Sequence, residues 1–413
     1  MIDIKLIREN PDIVKKKLQD RGAKIDIDKI INLDKARRGL IQEIEDLKAE
    51  KNKLSQKTGN SIQVTRGKEI KEKIKTLEPE LEKTEKEFND LMLKVPNLPL
   101  DDVWIGKDER DNKVVKKWGQ PKAGQPKPKD YLVLAEKLDI IDVDRAAKVA
   151  GSRFGYLKGG AALLEFGLIQ LVLDVLMEEK FIPIFPPVMI KPEMAAGMGY
   201  LEQTGDEEAY FIEKDKLYLI GTAEQSLGTM HANEIFLEKD LPKKYCAFST
   251  CFRREAGSYG KDTRGILRVH QFDKFEMFIF SRPEDSIKEH KLLLSLEEKL
   301  MKLLEIPYRV VQLCTADLGA PSAATYDIEA WLPGQNEYRE THSTSNCTDF
   351  QARRLNIRYK TKDGKTNFVH TLNGTAFAMG RAIIAIIENY QQKDGSIKVP
   401  KALQKYIKIK EIK

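Results

Sequence analysis

The chain is poor in the residues that cross-link small extracellular proteins or hold structural metals. Its 413 residues include four cysteines and five histidines, and no Cys-x-x-Cys pair occurs. Four cysteines in so long a chain cannot form a disulfide framework, so we expect reduced, mostly buried thiols in a reducing compartment. A structural zinc site through Cys246 and Cys251 is a minor alternative, because buried free thiols are common in cores.

The sequence also lacks an uninterrupted hydrophobic run that would favour a membrane span. The most apolar stretch, Ala161–Met177, contains Glu165, Gln170 and Asp174, which predicts an amphipathic helix. The chain begins MIDIKLIREN, whose charged residues leave no apolar core for a signal peptide. We therefore predict a cytoplasmic protein that has no membrane partner.

Two glycine-rich loops that commonly bind nucleotide phosphates are absent. Neither GxGxxG after a strand nor GxxxxGK[ST] occurs, which disfavours dinucleotide-type and Walker-type sites. Instead, Arg253, Arg254 and Arg268 flank a loop, Ala256–Gly265, which contains Arg264 and lies between two strand-like runs. Such arginines can bind a triphosphate through bidentate hydrogen bonds, or can form surface ion pairs of little energetic value. Composition alone leaves the two interpretations equal.

Positive charge is concentrated in one part of the chain. The formal net charge is +6, and residues 48–75 alone contain nine Lys or Arg against three Glu. Such a block is either ordinary solvated helix surface or a patch that binds the phosphates of a nucleic acid. Its position in the fold favours the second interpretation, as described next.

Heptad patterns on both sides of this block predict a helical hairpin. The apolar positions step by three and four residues, and the polar loop Ser55–Ser61 separates two such seams. The first seam comprises Ile30, Leu33, Leu40, Ile44, Leu47 and Leu54, with Arg37 and Lys51 at two core steps; the second comprises Ile70, Ile74, Leu77, Leu81, Thr84, Phe88, Leu91 and Val95. We expect an antiparallel coiled-coil arm with a basic tip, whose second helix is interrupted and kinked at Pro79. A coiled coil that only dimerises gives no reason for a basic tip.

The remainder of the chain mixes helices and strands without a regular βαβ rhythm. Long strands of this kind predict a mainly antiparallel sheet flanked by helices, and hence an α+β fold class. The predicted helices are Gly160–Lys180, Pro283–Glu305 and Thr375–Tyr390; the predicted strands are Lys216–Ile220, Tyr245–Arg253, Leu267–Phe280, Tyr308–Leu313, Tyr326–Leu332 and Phe368–Leu372.

Five motifs in order resemble those of seryl-tRNA synthetases, which are class II aminoacyl-tRNA synthetases. FRREAGSYGKDTRGILRVHQFDKFEMF (252–278) resembles their motif 2, and NGTAFAMGRAIIAIIENYQQKDGSIKVPKAL (373–403) resembles motif 3 and the tail. FIPIFPPVMI (181–190) is similar to motif 1, GTAE (221–224) to the serine loop, and YRETHSTSNCTDFQARR (338–354) to the intervening segment. The resemblance covers essentially the whole chain, including the N-terminal hairpin.

This resemblance implies a tRNA-binding arm domain over residues 1–105 and a class II catalytic domain over residues 106–413. It implies a homodimer that uses ATP and Mg²⁺ to activate L-serine as seryl-adenylate and then charges tRNA(Ser); service to tRNA(Sec) stays open. The arm would identify serine tRNAs by their long variable arm. Its phosphate contacts are expected at Lys51, Lys53, Lys57, Arg66, Lys68, Lys71 and Lys73.

The resemblance also assigns roles to individual residues. Arg253, Arg268 and Arg381 would be catalytic, and Glu340 and Ser343 would contact the metal. The ATP site would comprise Arg253, Arg254, Glu255, Arg268, Val269, Phe272, Glu340, Thr341, His342, Ser343 and Arg381. The serine site would comprise Thr222, Ala223, Glu224, Arg253, Glu276, Asn373 and Thr375.

The chain departs from the family pattern at a few positions. Gly221 stands where proline is common, Gln225 where valine is common, Lys180 where glycine is usual and His342 where serine is more frequent. Two other functions remain as alternatives. A synthetase-like protein that loads a carrier protein should lack the long arm, and a non-enzymatic RNA-binding paralogue should have lost ATP or serine positions.

Overall fold

The computed structural model describes residues 1–55, 61–121, 128–200, 208–256 and 264–413. The chain divides into two compact units, residues 1–96 and residues 97–413. The boundary predicted from the sequence, after residue 105, differs from this division. Leu100 and Val103 pack with Val311 and Leu313, so the segment after Pro96 belongs to the second unit.

The first unit is helical. Its elements are α1 Ile4–Glu9, α2 Pro11–Asp20, α3 Ile27–Ser55 and α4 Ser61–Lys94. Ion pairs join Glu50 to Arg66 at 2.8 Å and Glu43 to Lys73 at 2.6 Å. Because the residue number falls along α3 as it rises along α4, the two long helices are antiparallel, as predicted. At about 1.5 Å per residue, each helix extends roughly 45–50 Å.

Buried charge joins the short helices to the long hairpin. Asp34 on α3 is 1% exposed and accepts hydrogen bonds from Arg8 at 2.6 Å and from Arg38 at 3.0 Å. Burial alone would raise the pKa of this carboxyl, but these arginines hold it below its usual value. Arg37, which fills an apolar step of the heptad seam, lies 4.8 Å from the ring centre of Phe88 and so covers the seam by a cation–π contact.

The predicted interruption at Pro79 is wrong, because α4 continues through this residue. Pro79 is exposed. Proline removes one helical N–H donor, but the carbonyl that loses its partner can bond to water at an exposed position. The loop predicted between the helices, apart from its end residues, lies outside the described residues.

The second unit contains the strands of the protein. They are β1 Lys113–Trp118, β2 Ile141–Asp142, β3 Tyr156–Leu157, β4 Ile182–Ile184, β5 Met189–Ile190, β6 Phe211–Ile212, β7 Leu217–Leu219, β8 Ile235–Leu237, β9 Lys243–Phe252, β10 Gln271–Ser281, β11 Tyr308–Gln312, β12 Ala324–Leu332, β13 Glu337–Asn346, β14 Arg358–Lys360, β15 Thr366–Phe368, β16 His370–Ala378, β17 Ile397–Lys398 and β18 Glu411–Ile412. Eight of them form the main sheet in the order β1-β11-β12-β13-β16-β10-β9-β4, where β4 pairs with β9 in parallel and the other pairs are antiparallel. The predicted α+β class is confirmed.

Helices flank this sheet and the smaller sheets of the second unit. They are α5 Tyr131–Lys137, α6 Val143–Ala150, α7 Gly160–Glu178, α8 Pro192–Met198, α9 Glu224–Thr229, α10 Ser286–Leu303, α11 Phe350–Leu355, α12 Met379–Asn389 and α13 Gln404–Ile407. The helix predicted from Thr375 begins only at Met379, because residues 375–378 belong to β16. This run, Thr-Ala-Phe-Ala, is short and mostly apolar, so its periodicity does not separate a buried strand from a buried helix.

The helix α7 is long and apolar enough to cross a membrane by length and composition, and it alone passes this test within the described ranges. Its buried face, which includes Leu164, Leu168 and Val172, packs in the main core of the second unit. The helix ends in a Schellman-type turn, in which the N–H of Phe181 donates to the carbonyl of Leu176 at 3.0 Å. Lys180 in this turn has φ 63°, a left-handed conformation that favours glycine.

Candidate active site

A cavity of about 560 Å³ in the second unit collects most of the predicted site residues. Strands β10, β13 and β16 contribute side chains from one face of the sheet, because alternate residues of a strand point the same way, and Arg253 directly follows β9. The predicted residues that line this cavity are Thr222, Glu224, Arg253, Glu255, Arg268, Val269, Phe272, Glu276, Glu340, Thr341, Ser343, Asn373, Thr375 and Arg381.

A buried carboxylate lies between two threonines in this cavity. Glu276 on β10 is 2% exposed and accepts hydrogen bonds from the hydroxyls of Thr222 at 3.0 Å and Thr375 at 3.4 Å. Thr375 reaches it because this residue is its cross-strand partner on β16. Lys274, two residues before Glu276 on the same strand, forms an ion pair with it. These groups can hold a small hydroxyl-bearing ligand whose OH exchanges with the threonine hydroxyls.

A second buried carboxylate belongs to Glu224 at the start of α9. Both of its oxygens lie 2.8 Å from the Tyr200 hydroxyl, and one accepts a hydrogen bond from Asn373 at 2.9 Å. Burial, followed by the nearby charge of Glu276, raises the pKa of Glu224 to about 7. A ligand ammonium group beside it would favour the ionised carboxylate.

Gly221 and Gln225, the two residues of the segment around Thr222 that depart from the family pattern, are hydrogen-bonded to each other. The backbone N–H of Gly221 donates to the side-chain carbonyl of Gln225 at 2.9 Å. Proline, which is common in the family at the first position, has no N–H to donate. The loop therefore keeps its Thr222 and Glu224 side chains in the cavity with a different internal bond.

Arginine and aromatic side chains form another part of the cavity. The Nε of Arg253 donates to the carbonyl of Gly221 at 3.1 Å, and its guanidinium lies 5.3 Å from the ring centre of Phe272. Arg268 donates to Glu255 at 2.6 Å. These two cations can bind phosphate oxygens, and the ring of Phe272 offers a surface on which a base can stack.

The predicted metal-contacting residues lie beside a third arginine. Arg381 contacts the Glu340 carboxylate at 3.1 Å, and this contact lowers the pKa of Glu340 although burial opposes it. Ser343 lies opposite Asp327 in the β12–β13 ladder. Burial and the charge of Glu340 raise the pKa of Asp327, while a hydrogen bond from Ser343 acts against this rise. An ionised carboxylate and a hydroxyl are oxygen ligands of the kind that Mg²⁺ prefers.

Three predicted residues do not line the cavity. Ala223 is fully buried beside its pocket-lining neighbours. Arg254 is exposed and stacks at 5.5 Å on Tyr210, because it follows the pocket-lining Arg253 and points elsewhere. His342 is fully buried against Phe377, and burial lowers its pKa to about 3. The structure therefore does not bring these side chains into the predicted site.

Sequence reasoning missed several residues of this site. Lys274 lines the cavity beside Glu276, Tyr200 contacts Glu224, and Gln351 donates to Glu224 at 3.3 Å. The alternation of β10 could have identified Lys274, because it is two residues from Glu276 and so on the same face. Tyr200 and Gln351 follow no local pattern, since distant segments bring them to the site.

The cysteines are free and buried, which agrees with the expected thiols. Within the described residues no group of three or more His, Cys, Asp or Glu has the geometry to hold a metal ion. Burial raises the pKa of the Cys246 thiol to about 12, so a zinc-binding thiolate is disfavoured there. The zinc alternative therefore loses support.

The predicted basic residues of the arm differ in their surroundings. Lys51, Lys53, Lys68 and Lys71 are exposed, and no ion pair to them is found within the described part of the chain. Arg66 pairs with Glu50 and Glu69, and Lys73 pairs with Glu43. Lys57 lies outside the described residues. Four exposed lysines of α3 and α4 are thus available to bind an anion, whereas Arg66 and Lys73 join the helices.

Comparison with known proteins matches both units to one family. Residues 1–99 match the model of the seryl-tRNA synthetase N-terminal domain, and residues 210–390 match that of the tRNA synthetase class II core domain (G, H, P, S and T). The serine–tRNA ligase of Dictyoglomus turgidum is 49% identical, and the alignment covers 100% of this chain and 99% of the relative.

Solved structures agree with these matches. The seryl-tRNA synthetase from Pyrococcus horikoshii complexed with ATP has a TM-score of 0.93 and 44% identity, with 100% of this chain and 99% of that chain covered. The cytoplasmic serine–tRNA ligase from Naegleria fowleri in complex with AMP has a TM-score of 0.90 and 35% identity over the same shares. From both domain matches and full-length similarity, the chain belongs to the seryl-tRNA synthetase family, with a class II catalytic core.

Proposed function

We propose that this protein is a serine–tRNA ligase that first forms seryl-adenylate and pyrophosphate from L-serine and ATP, and then transfers the seryl group to the 3′ end of tRNA(Ser). The observation that carries this proposal is a single cavity lined by Glu276 with its two threonines and by the cations Arg253, Arg268 and Arg381. Such a cavity can bind a small hydroxyl amino acid beside a triphosphate. The relatives' names and ligands agree with this activity.

In the first step, a carboxylate oxygen of serine attacks the α-phosphorus of ATP, and the bond to the bridging oxygen of the leaving pyrophosphate breaks. No covalent bond to the protein is needed, so alignment and charge neutralisation supply the catalysis. Arg253 would bridge the serine carboxylate and the α-phosphate. Arg268 would bind the outer phosphates, which leave as pyrophosphate.

Phe272 would support the adenine, with Val269 nearby in the cavity wall and Arg381 on the opposite face of the base. Glu255 would accept a hydrogen bond from the adenine amino group. This carboxylate and Arg268 are joined at 2.6 Å through one oxygen and one guanidinium nitrogen, and the guanidinium has other N–H donors for phosphate. The ion pair would keep both side chains ordered for the nucleotide.

Glu340 and Ser343 would hold Mg²⁺ together with phosphate oxygens. The fit rests on the donor set: the lowered pKa of Glu340 keeps it ionised, and a hydroxyl oxygen is a suitable second ligand. Bound Mg²⁺ would supply neutralisation of phosphate charge. Thr341 also lines this part of the cavity but donates to the Ile328 carbonyl at 3.2 Å, which orients β13.

Serine would be recognised at both of its polar ends. Glu276 and Thr375 would bind its hydroxyl, and Glu224, Thr222 and Asn373 would surround its ammonium group. An analogue without a hydroxyl would leave the buried Glu276 with an unfilled acceptor position. Leaving a buried polar group unpaired is costly, which explains rejection of alanine and glycine.

The helical arm would bind tRNA through phosphate contacts of its exposed lysines. Lys51, Lys53, Lys68 and Lys71 are the candidates that no intramolecular ion pair engages within the described part of the chain, and we retain Lys57, Arg66 and Lys73 as further candidates. Helical RNA is recognised mainly by shape and backbone, for which exposed lysines are suitable. The proposal extends to tRNA(Sec) as a second acceptor and to a cytoplasmic location.

We propose a two-fold homodimer formed through the surface around α7 and the following segment. Large apolar side chains there are exposed in the single chain, and Phe185 is 92% exposed. Others are Leu163, Phe166, Met177, Ile182 and Met189. An apolar patch of this kind is typical of an interface, and light scattering should give twice the 47.2 kDa chain mass.

The activity is tested in two assays on one preparation. Serine-dependent ATP–pyrophosphate exchange measures the first step, and charging of tRNA(Ser) and tRNA(Sec) transcripts measures the second. Absence of exchange with serine would overturn the proposed activation step. Exchange without any charging of tRNA, together with transfer of serine to a carrier protein, would instead support the alternative of a carrier-loading enzyme.

A further inference from the structure

Helix α10 presents two buried polar side chains to the underside of the active-site sheet. His290 and Glu297 are seven residues apart and therefore lie on one face of the helix. His290 lies 3.1 Å from the backbone carbonyl of Thr344 on β13. Glu297 is fully buried, and neither of its carboxylate oxygens makes a hydrogen bond of normal geometry within the described residues. Burial of an incompletely satisfied carboxyl is costly, so its presence here requires an explanation.

The carboxyl of Glu297 lies directly beneath a glycine of β16. An added Cβ at Gly374 would lie 3.1 Å from the Oε1 of Glu297. The residues on either side of this glycine, Asn373 and Thr375, line the cavity from the opposite face of the strand. Glu297 thus occupies the space that a side chain at Gly374 would fill, below the two strand residues that would contact serine.

The pairing of β16 with both neighbouring strands changes at this point. Its ladder with β13 ends at the pair Thr344–Gly374, and its ladder with β10 is shifted in register where Glu276 meets Thr375. Such irregularities release backbone groups from the sheet and re-aim nearby side chains. The backbone N–H of Thr375 favours the ionised form of Glu297, so this amide is directed towards the carboxyl. The helix therefore adds support to β16 where its pairing with β13 ends and its pairing with β10 is irregular.

Several acidic groups surround this carboxyl. Burial, followed by the charges of Asp327 on β12, Glu276 on β10 and Glu298 on α10 itself, raises the pKa of Glu297 well above its usual value. Burial therefore favours the neutral form of this carboxyl, in which the group can donate as well as accept a hydrogen bond. In that form it adds no second negative charge to that of Glu276 beneath the serine pocket.

We propose that Glu297 is a positioning residue for the serine pocket: it supports β16 at Gly374 and Thr375 from below and so fixes the placement of Asn373 and Thr375 towards the amino acid. The inference rests on the proposed function, since it assigns these two residues to serine. It concerns the amino-acid half of the cavity, and the ATP half is expected to be unaffected.

The test compares two substitutions in the full-length protein by ATP–pyrophosphate exchange. Glu297→Leu removes the polar group at nearly constant volume, and Glu297→Gln keeps its size and its ability to accept and donate. With the leucine variant we expect the KM for serine to rise about tenfold while the KM for ATP changes less than about twofold. With the glutamine variant both KM values should stay within about twofold of wild type. The conservative substitution would then preserve the serine binding that the leucine variant loses.

Glu298→Gln is the matched control. Glu298 is the next residue on α10, is 8% exposed, and bonds to Tyr308 at 2.8 Å and to Lys116 at 2.7 Å, away from the serine residues. Its substitution should leave both KM values unchanged even if it lowers the melting temperature. An unchanged serine KM in Glu297→Leu, or equal rises of the serine and ATP KM values, would overturn the proposal. Absence of exchange in the wild type would instead refute the proposed function.

A second pair of variants keeps the test decisive if Glu297→Leu does not fold. Gly374→Ala places a methyl group against the carboxyl and should raise the serine KM. Combining it with Glu297→Ala opens the space below, so the double variant should have a lower serine KM than Gly374→Ala alone. A double variant that is no better than the single one would contradict the proposed contact.

Discussion

At the scale of single residues, Arg253 has the most demanding proposed role. Arg253→Ala removes the cation that would neutralise charge on the α-phosphate in the transition state. By analogy with loss of one oxyanion-hole donor, we expect a loss of about 3 kcal/mol or more, which is at least a hundredfold in kcat for pyrophosphate exchange. Arg254→Ala is the matched control, because its side chain is the next in sequence and does not line the cavity. Wild-type exchange by Arg253→Ala would refute the assignment.

The carboxylate of Glu276 is expected to govern serine and not ATP. Glu276→Gln keeps the shape but removes the negative charge that pairs with Lys274, and it replaces one of the two carboxylate oxygens by an NH2 group that only donates. We expect kcat/KM for serine to fall by about a hundredfold or more, with a much smaller change in the KM for ATP. An unchanged dependence on serine would show that this carboxylate is not in the serine pocket.

The raised pKa of Glu224 predicts how serine binding depends on pH. Burial and the charge of Glu276 raise this pKa to about 7, so the unliganded carboxyl becomes protonated as the pH falls below this value. A protonated carboxyl does not attract the ammonium group of serine. The KM for serine, measured by exchange, should therefore rise as pH is lowered from 8 to 6, while the KM for ATP serves as the control. A flat serine KM across this range would contradict the assignment of Glu224 to the ammonium group.

At the scale of elements, the C-terminal turn of α7 contains a lysine in an unfavourable backbone conformation, and a substitution can remove this free-energy cost. Lys180 has φ 63°, a conformation in which a side chain is disfavoured by about 1 kcal/mol. We expect Lys180→Gly to stabilise the protein by up to about 1 kcal/mol, reduced by the greater freedom of glycine in the unfolded chain. Lys408→Gly is a useful comparison, since this residue has φ 55° at the end of α13. Urea unfolding measures the free energy of unfolding of both variants. Destabilisation by Lys180→Gly would show that contacts of the lysine side chain contribute more free energy than its backbone conformation costs.

The elements were predictable where one periodicity dominates. The hairpin helices follow from their heptads, and β9 and β11 are close to their predicted bounds. The error at Thr375 arose because the strand character of residues 375–378 comes from their pairing with β10, which no local pattern in the sequence reveals. The strand β13 was not predicted from the sequence. Its residues are mostly polar both on the cavity face and on the buried face, so the segment lacks the alternation of apolar and polar residues that indicates a strand.

The site residues were predictable only in part for a related reason. The motifs identify Glu276, Thr375 and Arg253, but the partners Tyr200 and Gln351 come from segments that only the fold brings near Glu224. The helix α10 carries no recognisable motif, so Glu297 reads in the sequence as one of many surface glutamates. Its burial becomes visible only when the packing of α10 on β16 is known.

At the scale of the whole molecule, the division at residue 96 predicts separable activities. Removing residues 28–95 and closing the gap with a short linker should leave the second unit folded, because α3 and α4 bury their heptad faces against each other. We expect this truncation to keep pyrophosphate exchange while charging of tRNA(Ser) collapses through loss of tRNA affinity. Both activities are measured on the same preparation. Equal loss of both would mean that the arm supports the catalytic unit, and full charging would mean that it does not bind tRNA.

The bond between Gly221 and Gln225 has a consequence for how this loop can change over evolutionary time. Proline at 221 would remove the N–H that Gln225 accepts, and valine at 225 would remove the acceptor from that N–H. Each step towards the common family pattern thus leaves one partly buried polar group unpaired, whereas both steps together leave none. The two positions are therefore expected to be inherited as a pair, with single replacements selected against and the double replacement tolerated.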